Sequence, residues 1–175
     1  WAANSEIYLQ KYDLNGNSLW SEPTIVVGPV VFPMGNWLQQ SVPETMGGSF
    51  AAWTRMSGNV QTSTAQHITT DGILSWGTSG INFSPNINSF HMSPRLTVSE
   101  DLQELMAVWN ESNGSQSQRG VYAQRINQTG NRLWGMNGLP VVPLNNNFDY
   151  LDLSAVGIGE EMITVYLQQS VNMSG

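Results

Sequence analysis

The chain has 175 residues, 40% of them hydrophobic, with seven tryptophans; this excludes a disordered chain and fits one domain with a substantial core. Charged residues make up only 11%, against about a quarter in most globular proteins, and the net charge is -7 with one lysine, Lys11, so no basic stripe exists for nucleic acid or an anionic membrane. There is no cysteine for disulfides or thiolate metal sites, and no apolar run approaches the roughly 20 residues that cross a bilayer.

The first predicted elements lie in "IYLQKYDLNGNSLWSEPTIVV", Ile7 to Val27, a strand, a turn and a second strand. Residues 1–37 are therefore the last two strands of an incomplete unit. Residues 38–92 form the next unit, whose "STAQHITTDGILSWGTSGINF" from Ser63 to Phe83 echoes the first.

The third unit, residues 93–150, is the clearest. "PRLTVSE" (Pro94 to Glu100) alternates as strand a, and "ELMAVWNE" (Glu104 to Glu111) is the apolar strand b before the loop "NESNGSQSQ". "GVYAQRIN" supplies strand c, "QTG" turns the chain, and strand d begins in "NRLWGMNGLPVV" before "PLNNN" leads onward. Residues 151–175 hold strands a and b of a further unit, ending in "MITVYLQQSVNMSG".

Trp20, Trp76 and Trp134 stand 56 and 58 residues apart, and Trp53, Trp109 and Tyr166 stand 56 and 57 apart. Two independent aromatic series with one period mark a repeated supersecondary unit. No segment shows a sustained helical period, so the predicted fold is all-β, with four antiparallel strands per unit of about 57 residues. A β-propeller is favoured over a solenoid or a sandwich, because every unit has its own c-to-d hairpin and an aromatic at a fixed place.

Three units cannot close a ring that needs at least about four blades. The preferred expectation is a section of a longer propeller, consistent with a processed product or fragment beginning at Trp1. The alternative is two copies joined into a six-bladed ring, the b edge of one meeting the c edge of the other.

Each unit carries a glutamine, a turn glycine and a tryptophan: Gln10, Gly16 and Trp20; Gln66, Gly72 and Trp76; Gln124, Gly130 and Trp134. The glycines suit the positive φ of a short hairpin, and Asp13, Asn15, Asp71 and Asn127 are placed to bond the turn backbone. The tryptophans and glycines are predicted to dock adjacent units, each indole contributing about 2–3 kcal/mol by burial.

The series "YAQRI", turn, "G", "LWG", "G", "PVV" resembles the repeats of secreted bacterial β-propeller proteins, and is more distantly similar to the tryptophan-docking and Asp-box turns of other propellers. The resemblance spans all three units. It implies the propeller fold and a secreted or cell-surface location, which the polar, weakly charged composition also favours.

Chemistry is sparse. "DLNGN" spaces Asp13, Asn15 and Asn17 as a calcium loop would, but the equivalent turns lose the pattern, so a stiffened turn and no cofactor is the expectation. His67 and His91 are the only histidines; His67 occupies the strand position of Lys11 and Arg125, and neither belongs to a zinc motif. Glu104, Glu111, Asp149 and Asp152 are the carboxylates a glycan hydrolase could use, though no spacing singles out a pair. No "GxSxG" elbow places a nucleophile.

A binding face is the better expectation. The loops after strands b and d hold the residues that do not repeat: Trp37, Arg55, Phe90, His91, Arg119, Phe148 and Tyr150, with Asn145, Asn146 and Asn147. Aromatic planes beside amide and guanidinium groups suit a glycan or a protein partner, unless the aromatics instead fill the core between units. The chain is thus expected to be a non-catalytic binding or structural module, with a hydrolase fragment as the rival.

Overall fold

The computed structural model describes residues 4–31, 37–101 and 103–171, with the side chains at 30, 31, 37–39 and 57 left out of the description. The protein is all-β, with twelve strands and no helix among the described residues.

β1 (Asn4–Leu9) and β2 (Thr24–Val31) form the first sheet, with two antiparallel strands. β3 (Trp37–Pro43), β4 (Ser49–Ser57), β5 (Val60–Ile68) and the short β6 (Ile81–Asn82) follow one another across a four-stranded second sheet. β7 (Ser89–Val98), β8 (Leu105–Asn113), β9 (Arg119–Ile126) and β10 (Leu139–Asn145) repeat that order in the third. β11 (Phe148–Ile158) and β12 (Glu161–Ser170) make a two-stranded fourth sheet.

The central strands are buried on both faces, which explains their unbroken apolar runs: Leu105 to Trp109 in β8 are all buried. Register repeats with the sequence. Trp53 pairs with Thr64 between β4 and β5, and Trp109 pairs with Tyr122 between β8 and β9. In both sheets the partner stands two residues before the recurring glutamine.

The sheets pack face to face in chain order through three apolar layers. Ile7, Val26 and Val27 of the first sheet meet Ala51, Trp53 and Ile68 of the second. Phe50, Ala52, Trp76 and Phe83 meet Leu96, Leu105 and Trp109 of the third. Val108 and Val121 meet Tyr150 and Leu153 of the fourth. The first strand of the third sheet, β7, lies beside both β3 and β11, the first strands of its neighbours.

Two predicted boundaries are corrected. Strand a of the third unit begins at Ser89 rather than Pro94, and an irregularity between Met92 and Arg95, where Ser93 has φ +53°, carries it past Pro94. Strand d begins at Leu139, not within "NRLWG": Arg132 makes one bridge to Ile126, and Trp134 is then drawn out of the ladder by the Gln124 side chain.

Candidate functional site

The recurring glutamine is a clamp. Gln124 Oε1 accepts the backbone N-H of Arg125 (3.1 Å) and of Trp134 (2.9 Å), while its Nε2 donates to the Gly135 carbonyl (2.8 Å). Gln66 repeats all three bonds with His67, Trp76 and Gly77. In the first sheet Gln10 accepts from Lys11 and donates to the Trp20 carbonyl. Buried amides must be satisfied, and these are, so the loop bearing each tryptophan is fixed to its own strand c.

Two of these indoles then reach the next sheet. The Trp20 ring N-H donates to the Thr70 carbonyl (2.8 Å) and that of Trp76 to the Gln128 carbonyl (2.9 Å). Gly72 and Gly130, with φ +82° and +87°, lie directly under those rings; a Cβ at Gly72 would stand 3.1 Å from Trp20 Cδ2. The turns are stiffened by Asp13, Thr69 and Asn127, whose oxygens accept backbone N-H groups at i+4. Asp71, expected to share that work, is replaced by Thr69, which holds the position equivalent to Asp13. Both Asp13 carboxylate oxygens accept hydrogen bonds from within their own turn, which holds the carboxyl below its usual range.

In two sheets the residue after the glutamine meets a carboxylate from the turn between strands a and b. Arg125 Nε lies 2.5 Å from Glu104 Oε2 in the third sheet, and His67 Nε2 lies 3.1 Å from Glu44 Oε1 in the second. Lys11, at the same position of the first sheet, donates instead to the Gly47 carbonyl (2.7 Å) and Thr70 Oγ1 (3.1 Å) of the second.

The non-repeating groups gather where the third and fourth sheets meet. Arg119 at the start of β9 and Asp149 at the start of β11 form a 2.6 Å ion pair, each side chain 40% exposed. This pair stands between two cavities. The larger, about 370 Å³, is lined by Gln118, Arg119, Asn145, Asn146, Phe148 and Asp149. The smaller, about 160 Å³, is lined by Asn110, Glu111, Arg119, Asp149 and Tyr150.

Asn145 braces the larger cavity rather than awaiting a ligand: its Oδ1 accepts from Asn147 and Phe148, and its Nδ2 donates to the Tyr150 hydroxyl (2.7 Å). Asn146 is exposed and free of that work. Behind the smaller cavity Glu111 is buried and accepts the Trp109 ring N-H (3.1 Å); burial pushes its carboxyl above the usual range. His91 lies 3.8 Å from it, too far for a hydrogen bond, and neither ring nitrogen has a partner. Burial lowers the His91 pKa to about 4, so the ring is neutral at pH 7.

Of the seven residues predicted to bind, Arg119 and Phe148 line the larger cavity and Tyr150 the smaller. His91 is fully buried beside Trp109 and borders neither, so it packs rather than binds. Phe90 on β7 pairs with Ser112 on β8, and Arg55 stays in the second sheet, 3.5 Å from Asn82 Oδ1. Trp37 opens β3, but its side chain lies outside the described residues. Sequence reasoning missed Gln118 altogether, and it weighed Asp149 and Glu111 only as hydrolase carboxylates. Of the four such carboxylates only these two share a cavity; Glu104 lies beyond the opposite end of β8 and is bound to Arg125.

No family model, curated protein or solved structure matches this chain.

Proposed function

We propose that the chain is a section of a secreted or cell-surface β-propeller that binds a neutral glycan, without catalysis of its own, at the open cavity beside Arg119, Asn146 and Phe148. Two consecutive four-stranded sheets stacked face to face with a repeated tryptophan clasp support the propeller architecture. The cavity carries the binding reading: an aromatic ring, primary amides and a half-exposed Arg-Asp pair line one open recess. A ring face packs on sugar C-H groups, while amide and guanidinium donors meet hydroxyls.

Calorimetric titration with a panel of neutral oligosaccharides tests it. Binding lost in Phe148→Ala and weakened at least tenfold in Asn146→Ala is the expected result; a panel that leaves the wild-type chain silent overturns it. One observation favours a second reading, a glycan hydrolase: Glu111, with its raised pKa, shares the smaller cavity with Asp149. That reading requires turnover of a chromogenic glycoside that Glu111→Gln abolishes.

A further inference from the structure

We propose that the ion pair of Arg119 and Asp149 is the specificity element of the larger cavity, admitting uncharged sugar rings and rejecting both uronates and amino sugars. The inference rests on the binding reading above and adds what the site discriminates and which two residues do it.

Both side chains are carried by strands that are paired within their own sheets. Arg119 pairs with Ser112 of β8 and with Asn145 of β10, and Asp149 pairs with Gln169 of β12. The guanidinium is held on two sides: its Nε lies 2.6 Å from Asp149 Oδ1, and its Nη1 donates to the Gln116 carbonyl. Gln116 has φ +56°, and its loop is braced by Asn113, whose Oδ1 accepts the backbone N-H of Ser117 (2.9 Å) and of Gln118 (3.0 Å). A pair fixed in this way reads a ligand without first having to be ordered by it.

The remaining atoms of the pair decide what it reads. Arg119 Nη2 and Asp149 Oδ2 make no hydrogen bond among the described residues, so the cavity wall sets a free donor beside a free acceptor. A sugar hydroxyl both donates and accepts, and therefore satisfies the two together. A uronate carboxylate only accepts and meets Asp149 as a like charge; a sugar ammonium only donates and meets Arg119 as one. To gain an ion pair with either ligand, the site must break its own and leave one partner uncompensated.

The wider charge distribution isolates this effect. Arg119 and Asp149 are the only charged side chains that line the larger cavity among the described residues, so its wall carries no net charge. The whole chain carries -7, and its long-range field favours cations. Rejection of an amino sugar must then come from the pair itself, because exposed charges beyond about 8 Å are largely screened at physiological salt.

Calorimetric titration at pH 6 in 0.15 M salt, with glucan and galactan tetraoses each in neutral, uronate and amino form, tests the proposal. Wild type should bind a neutral form about tenfold or more tightly than its two charged counterparts. Asp149→Asn should raise the affinity for the uronate about tenfold relative to the neutral form, and Arg119→Gln should do the same for the amino form. Exposed ion pairs contribute little to folding, so both variants should keep the wild-type far-UV circular dichroism. Wild type that binds a charged form as tightly as the neutral one overturns the proposal whatever the variants do. Neutral binding with an unchanged order in folded variants overturns it too, and leaves the binding reading standing. Silence of wild type and both variants toward every form overturns the binding reading and this inference with it.

Discussion

Gln124 shows how much one side chain can decide. Three of its hydrogen bonds hold strand c, the following backbone and the loop of Trp134 together, and a fourth, from Nε2, reaches the Phe83 carbonyl. Gln124→Leu leaves buried backbone groups without partners at about 1–3 kcal/mol each, so the urea midpoint should fall well beyond what lost volume explains. His91 makes a pH prediction. Its folded pKa of about 4 lies below the usual 6.5, so between those values the unfolded chain binds the extra proton and stability falls as pH drops. Urea unfolding at pH 7 and pH 4.5 should show wild type losing more stability than His91→Gln. Glu111 opposes this in part, because its raised pKa favours the folded state as pH falls. The recurrence of the glutamine was visible in the sequence, but its role was not, since nothing in "AQ" says which backbone groups the amide will reach.

Strands b and c were legible because two-sided burial writes itself as an apolar run, as in Leu105 to Trp109. Strand d was misplaced because its entry is governed by side-chain bonds from Gln124, which leave no periodic trace. Gly138 guards that entry. Its φ is +83°, and an added Cβ would sit 2.6 Å from Trp109 Cη2. Gly138→Ala should therefore destabilise the third sheet by more than the ~1–2 kcal/mol of left-handed strain alone, with Trp109 fluorescence reporting the displacement. The cavity at Arg119 lay half in view. The absence of repetition pointed to Arg119, Phe148 and Tyr150, yet Asp149 and Gln118 join them only because β9 and β11 begin side by side, a relation between sheets that no local pattern encodes.

The molecule as a whole is a row of sheets joined by three separate apolar layers. Its energetics should be those of nearest neighbours. Val26→Ala and Leu153→Ala lie in different layers, so their destabilisations should add within about 0.5 kcal/mol. Phe83→Ala and Leu105→Ala share a layer and should depart from additivity in the same urea measurements. The row also has a sense of direction: the first and second sheets hand an indole forward, and the second and third offer a turn glycine backward. A surface of that kind is not self-complementary: a contact made through it would run head to tail, not face to face. Whether such contacts end in a ring or run on as a fibre depends on the rotation from one sheet to the next. A small change in the volume of one apolar layer, by altering that rotation, could turn a closed particle into an open filament.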